Sequence, residues 1–108
     1  MIRVSSRTAI VAFEFRDANR HMEEAFIRDV LKYRYGAARM LSNVYTFELQ
    51  KNAVDKIIEL ISYTETYISP NTDTVHIWYH METDGKLRVY HTMLGKRVLN
   101  EGETDSFF

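Results

Sequence analysis

Residues Ala9-Ile10-Val11-Ala12-Phe13 run without a polar interruption and stop at a carboxylate, Glu14. No apolar run elsewhere in the chain is longer, so the sequence contains neither a membrane-spanning stretch nor a signal-peptide core. It therefore reads as a cytoplasmic protein with no membrane partner. Polar residues flank the run, and Val, Ile and Phe favour the extended backbone. A strand without polar alternation predicts cover on both faces and a central place in its sheet. The expected strand covers about Arg7 to Phe15, and its end places Glu14 where a charge is costly unless solvated, paired or metal-bound.

The chain has 108 residues, which suits one domain with a core of its own. It contains no cysteine. Disulfide scaffolds, thiolate zinc sites, iron–sulfur clusters and cysteine nucleophiles are thereby excluded. Residues 1–50 carry eight Lys and Arg against six Asp and Glu, whereas residues 51–108 carry six against nine. A net charge of −1 does not suit a strongly basic nucleic-acid binder. Any phosphate-binding surface must be local, and the basic front half is the better place for it.

The remaining elements follow from periodicity and turn chemistry. A helix is expected over about Asn19 to Tyr35, with Met22, Phe26, Val30 and Tyr33 on one face. Asp17 or Asn19 would cap its start, and Gly36 would end it in a left-handed turn. Strands are expected around Ala38–Leu41 and Val44–Leu49, with Ser42-Asn43 as a tight turn or bulge. A second helix spans about Ala53 to Tyr67, with the stripe Val54, Ile57, Ile58, Ile61 and an N-cap at Asn52. Ser69-Pro70-Asn71-Thr72-Asp73 is a loop. Asp84-Gly85 joins two strand-like runs, Thr74–Thr83 and Lys86–Leu94, and is a preferred two-residue hairpin turn. The main domain is taken as 1–98, followed by an acidic, flexible tail over 99–108 that carries Glu101, Glu103 and Asp105.

That order predicts an α+β fold: a ferredoxin-like βαββαβ unit with an additional C-terminal β-strand. Its antiparallel sheet would carry two helices on one face. The other face then needs cover, and a second copy in a homodimer is the natural candidate.

Four local patterns carry a family resemblance. The first strand ends Val11-Ala12-Phe13-Glu14, and Arg20 follows near the first helix. Tyr35-Gly36-Ala37-Ala38-Arg39-Met40-Leu41-Ser42-Asn43-Val44-Tyr45 comes next, and then Asp73-Thr74-Val75-His76-Ile77-Trp78-Tyr79. Over roughly residues 8 to 96 the chain resembles the small CRISPR-associated endonuclease of the adaptation complex and its relative, virulence-associated protein D. The family has Asp where this chain has Glu14, and often Gln and Ser where it has Leu41 and Asn43. The resemblance implies a homodimer in which paired Glu14 carboxylates hold Mg²⁺ or Mn²⁺ for cleavage of RNA or DNA. It also implies a CRISPR integrase or a toxin–antitoxin partner.

Each candidate residue has a plainer reading beside the functional one. Glu14 is a catalytic and metal-binding candidate, or a strand-end glutamate paired with Arg16 or Arg39. Arg16, Arg20 and Arg39 present forks suited to phosphate, or line a solvated face. Ser42, Asn43 and Tyr45 support a phosphate site, or serve a turn and a packed strand. A two-residue hairpin turn pairs Trp78 with His91 and sets His76, Trp78, His80 and His91 on one face. Those histidines form part of a metal site, or lie half-buried at an interface. The many tyrosines are base-stacking platforms, or core.

Three functions remain open: a metal-dependent endonuclease, a non-catalytic nucleic-acid scaffold, and a regulatory or small-ligand module of the same fold. The sequence contains no phosphate-binding glycine loop, dinucleotide fingerprint, His-Glu-x-x-His or serine elbow.

Overall fold

The structure is a computed structural model, and it describes residues 7–49 and 54–95. The expected N-cap at Asn52 and the acidic tail lie outside the described residues. Within them the chain is α+β, with a five-stranded antiparallel sheet and two helical regions.

Strand β1 spans Arg7–Glu14. A 3₁₀ turn, Asp17–Asn19, leads into α1, Arg20–Ala25, which continues as a π-wound helix over Phe26–Arg34. Strands β2, Ala38–Leu41, and β3, Val44–Leu49, follow. Helix α2 covers Val54–Tyr67, and β4, Thr74–Thr83, and β5, Lys86–Gly95, close the chain. The sheet order is β2-β3-β1-β4-β5, so β1 is the middle strand, as its apolar run predicts.

The expected cover on both faces of β1 is not found among the described residues. Ala9, Val11 and Phe13 are buried beneath Phe26, Val30, Leu31, Ile57 and Leu60 of the helical layer. Ile10, by contrast, is 37% exposed and Glu14 is exposed. Alternation therefore governs exposure even though it is absent from the residue types. Ile10 and Ala12 thus lie on the face away from the helices, in rows with His76 and Trp78 of β4.

The first helix departs from an ordinary α period. Tyr33 was expected on the core face but is 85% exposed. The buried residues are Phe26, Val30 and Leu31, with Tyr35 packed against them. Backbone bonds there reach five residues back, as from the Tyr35 N–H to the Val30 carbonyl at 3.2 Å. The wider winding lengthens the repeat and turns Tyr33 outward. In α2 the expected periodicity is present with a different phase. Ile57, Leu60 and Thr64 are buried, whereas Val54 and Ile58 are exposed.

Two turns form as expected. Gly36 has φ +60° at the end of the first helix, and Asp84 and Gly85 have φ +53° and +76° in the β4–β5 turn. The hairpin register pairs Thr83 with Lys86 and Trp78 with His91. A β-bulge interrupts β2–β3 between Arg39 and Leu41, beside the Ser42-Asn43 turn.

The winding makes a testable pair. Phe26→Ala should cost about 4 kcal/mol of stability, whereas Tyr33→Ala should stay within about 0.5 kcal/mol. Chemical denaturation of both variants checks this; comparable losses would mean that Tyr33 packs inward.

Candidate functional site

The end of the sheet where β1 finishes gathers the β1–helix turn, the Ser42-Asn43 turn, the 69–73 loop and the last residue of β5. Glu14, Thr74 and Gly95 lie in one row across β1, β4 and β5. Asn43 reaches across from the β2–β3 turn. Its carbonyl accepts the Phe13 N–H at 3.0 Å, and its side-chain amide donates to the Phe13 carbonyl at 3.1 Å.

Asp73 holds this end together. Its side chain is fully buried, and its carboxylate accepts the backbone N–H of Arg16 at 2.8 Å and of Ser69 at 2.8 Å. The Asn19 amide donates to both carboxylate oxygens, at 3.1 and 3.0 Å, and the Thr72 hydroxyl contacts it at 3.2 Å. Burial alone would push this carboxyl up, but the hydrogen bonds outweigh it and hold the group below the usual carboxylate range. Asn19 therefore makes no side-chain cap for α1, and neither does Asp17, which lies 3.3 Å from Arg20. Gly95 closes against the same residue. With φ +98°, it faces the Asp73 carbonyl oxygen so closely that any Cβ would collide with it.

A polar cleft of about 330 Å³ opens beside this knot. Phe15, Arg16, Asp17, Arg20, Glu23, Ser42 and Asn43 line it. Four of the residues singled out in the sequence thus meet there: Arg16, Arg20, Ser42 and Asn43. The Arg20–Asp17 pair is 65% and 95% exposed, so it contributes little and leaves the guanidinium accessible to an anion. Burial pushes the Glu23 carboxyl up, against the pull of Arg20. The cleft is thus balanced by formal charge, with two arginines and two carboxylates in its lining.

The other candidates lie elsewhere. Glu14 is exposed on the face away from the helices and does not line the cleft. No ion pair with Arg16 or Arg39 is found for it among the described residues. Arg39 is exposed on β2 and shares a register position with Tyr45. Tyr45 is 3% exposed and stacks on Phe13 at 6.0 Å, so its ring belongs to the core. Tyr35, also half-buried, donates its hydroxyl to Glu59 at 2.8 Å and stacks on Phe47. Burial and that bond push its phenol well above the ordinary range.

A second cluster occupies the face opposite the helices. His76 Nδ1 lies 2.9 Å from His91 Nε2, and Trp78 stacks on both rings, at 5.4 and 4.9 Å. Burial lowers the affinity of both imidazoles for a proton, and for His91 the charge on His76 adds to this. His80 is separate: its Nδ1 meets the backbone of Thr8 at 3.2 to 3.3 Å. Among the described residues no group of three His, Cys, Asp or Glu side chains is placed to share a metal ion, and no helix is long and apolar enough to cross a membrane.

Asp73 is the residue whose importance the sequence conceals. In the sequence it reads as the last residue of a loop, and the one available signal is an acid directly before an apolar strand. No protein-family model, no curated protein and no solved structure matches the chain.

Asp73→Ala should destabilise the protein by about 3 kcal/mol, because it strands two backbone N–H groups and an amide. The depressed carboxyl also sets a pH dependence. Its contribution is complete above the unfolded-state pKa of about 3.9 and disappears as pH falls through the lower folded value. Denaturation at pH 7 and at pH 3 should therefore show wild type and variant converging in acid; a constant gap would overturn this assignment.

Proposed function

We propose that the protein is a nucleic-acid-binding homodimer. Its frame, read from β4 to β2 as 4-1-3-2, is taken as a ferredoxin-like split βαβ unit extended by β5. The observation that carries the reading is the convergence of Arg16, Arg20, Ser42 and Asn43 on one cleft at the carboxyl end of the middle strand. Two guanidinium forks with a hydroxyl and an amide beside them suit a backbone phosphate.

The second sheet face supports the dimer. Val44, Ala12, Ile10, Trp78 and Val89 take register positions on it, and Glu14, Glu48 and Glu82 stand towards its ends. Among the described residues no Lys or Arg takes a register position there. A centre of apolar, threonine and imidazole side chains with carboxylates towards the ends suits a protein partner, and the absence of Lys and Arg register positions among the described residues argues against nucleic acid on this face.

Cleavage is a second reading, favoured by the position of Glu14 at the strand end on that same face away from the helices. One carboxylate is less than Mg²⁺ or Mn²⁺ needs from a protein without other ligands. The nuclease reading therefore requires Glu14 from both copies. In this reading the chain resembles the small CRISPR-associated endonuclease; without the metal pair it is a scaffold of the same fold.

Replacing both Arg16 and Arg20 with Ala should weaken binding of RNA and DNA oligonucleotides by at least about tenfold and flatten the log–log salt dependence by about 2. Unchanged binding would remove the cleft from the proposal. In the same assay with Mg²⁺, Mn²⁺ or EDTA, Glu14→Gln should abolish cutting and leave binding intact if the paired-carboxylate reading holds. Binding with no cutting by the unaltered protein would leave the scaffold.

A further inference from the structure

In the middle of the sheet face away from the helices, two imidazoles share one hydrogen bond. Trp78 and His91 are opposite each other across the β4–β5 ladder and His76 is opposite Met93, so His76 and His91 meet on the diagonal. His76 Nδ1 and His91 Nε2 are 2.9 Å apart, and the ring planes differ by 11°. Trp78 stacks on both rings. Both histidines are half-buried within the single chain.

A contact of this kind admits one proton. A neutral imidazole has one N–H and one lone pair, whereas an imidazolium has two N–H groups and no acceptor. One of the two rings must therefore offer a lone pair across the 2.9 Å gap. When both rings are charged, two N–H groups face each other and the bond is lost. Two like charges then stand on rings whose centroids are 5.1 Å apart. Burial already lowers the proton affinity of both imidazoles, and for His91 the charge on His76 adds to this.

We propose, on the homodimer reading above, that the His76–His91 pair is a pH switch for the association of two copies through this face. A partner seated on the face removes water from the pair, so a second charge costs more there than in the separate chains. The dimer then binds fewer protons than two monomers, and acid favours dissociation. Association is complete above the ordinary imidazole pKa of about 6.5 and weakens as pH falls below it. By register, the other titratable groups on this face are Glu14 on β1, Glu48 on β3, and His80 and Glu82 on β4; β5 adds none beyond His91 among the described residues. Ala12 and Ile10 are the β1 residues opposite His76 and Trp78, so no carboxylate lies directly across from the pair on that strand. His80 is held apart by its contact with the Thr8 backbone.

Sedimentation of the full chain at constant ionic strength should show a dimer at pH 7.5 and a dissociation constant at least about tenfold weaker at pH 5.0, with far-ultraviolet circular dichroism unchanged. The double variant His76→Gln/His91→Gln should keep one dissociation constant over that range, whereas His80→Gln should retain the pH dependence. A dimer of equal strength at both pH values, or a pH dependence that survives the double variant, would overturn the switch and leave the dimer reading intact. A monomer at pH 7.5 would overturn the dimer reading and the switch with it. Imidazole ¹⁵N shifts of the unaltered protein are a test that needs no variant: imidazolium at both His76 and His91 at pH 5.0 supports the switch, and a neutral ring still bonded to its neighbour refutes it.

Discussion

The buried Asp73 carboxylate is the contact on which the cleft end of the molecule depends. Its acceptor oxygens bind the chain as it leaves β1, through the Arg16 N–H, and as it leaves α2, through the Ser69 N–H. The Asn19 amide adds the start of the first helix, and the Gly95 backbone packs against the Asp73 carbonyl. The 16–19 turn and the 69–73 loop are thus tied to one carboxylate, and the end of β5 packs on the backbone of the same residue. A buried carboxylate is stable only when its hydrogen bonds offset the loss of water, and here the N–H groups would themselves lack partners without it. The cleft that brings Arg16 and Arg20 together is a consequence of this knot, because Arg16 cannot move without breaking the bond from its own backbone.

A second constraint is the asymmetry of the sheet. The helical layer covers Ala9, Val11, Phe13, Tyr45, Phe47, Val75 and Ile77 and leaves the opposite side of the same strands with Ile10, Ala12, Trp78 and Val89. Chemistry divides along the same line. Arginine and carboxylate side chains gather at the strand ends, and aromatic and imidazole rings gather on the face away from the helices. The two places differ in chemistry, since one is lined by charged side chains and the other by stacked, hydrogen-bonded rings.

The histidine cluster shows how far strand arithmetic reaches. The left-handed residues Asp84 and Gly85 define a two-residue turn, and from that turn every pair up to Trp78–His91 follows by counting. Which histidine meets which is then a packing result. His91 goes to His76, while His80 is drawn to the backbone of Thr8 on β1, a strand remote in sequence.

Elements whose cause is local were therefore legible in the residues: the β4–β5 hairpin, the glycine stop at Gly36, both short strands, and the central place of the Ala9–Phe13 strand. Positions that depend on contacts from elsewhere were not. Tyr33 turns outward because the helix winds more widely over the core, Tyr45 goes inward to Phe13, and Asn19 abandons a capping role for Asp73, 54 residues away. The sequence by itself determined the order of the elements and the register of the hairpin, because turn geometry and side-chain alternation act between near neighbours. Only the tertiary structure decided which residues share the cleft and which face of the sheet the helices cover, because both follow from chain segments that meet through space, where a buried charge must find its donors.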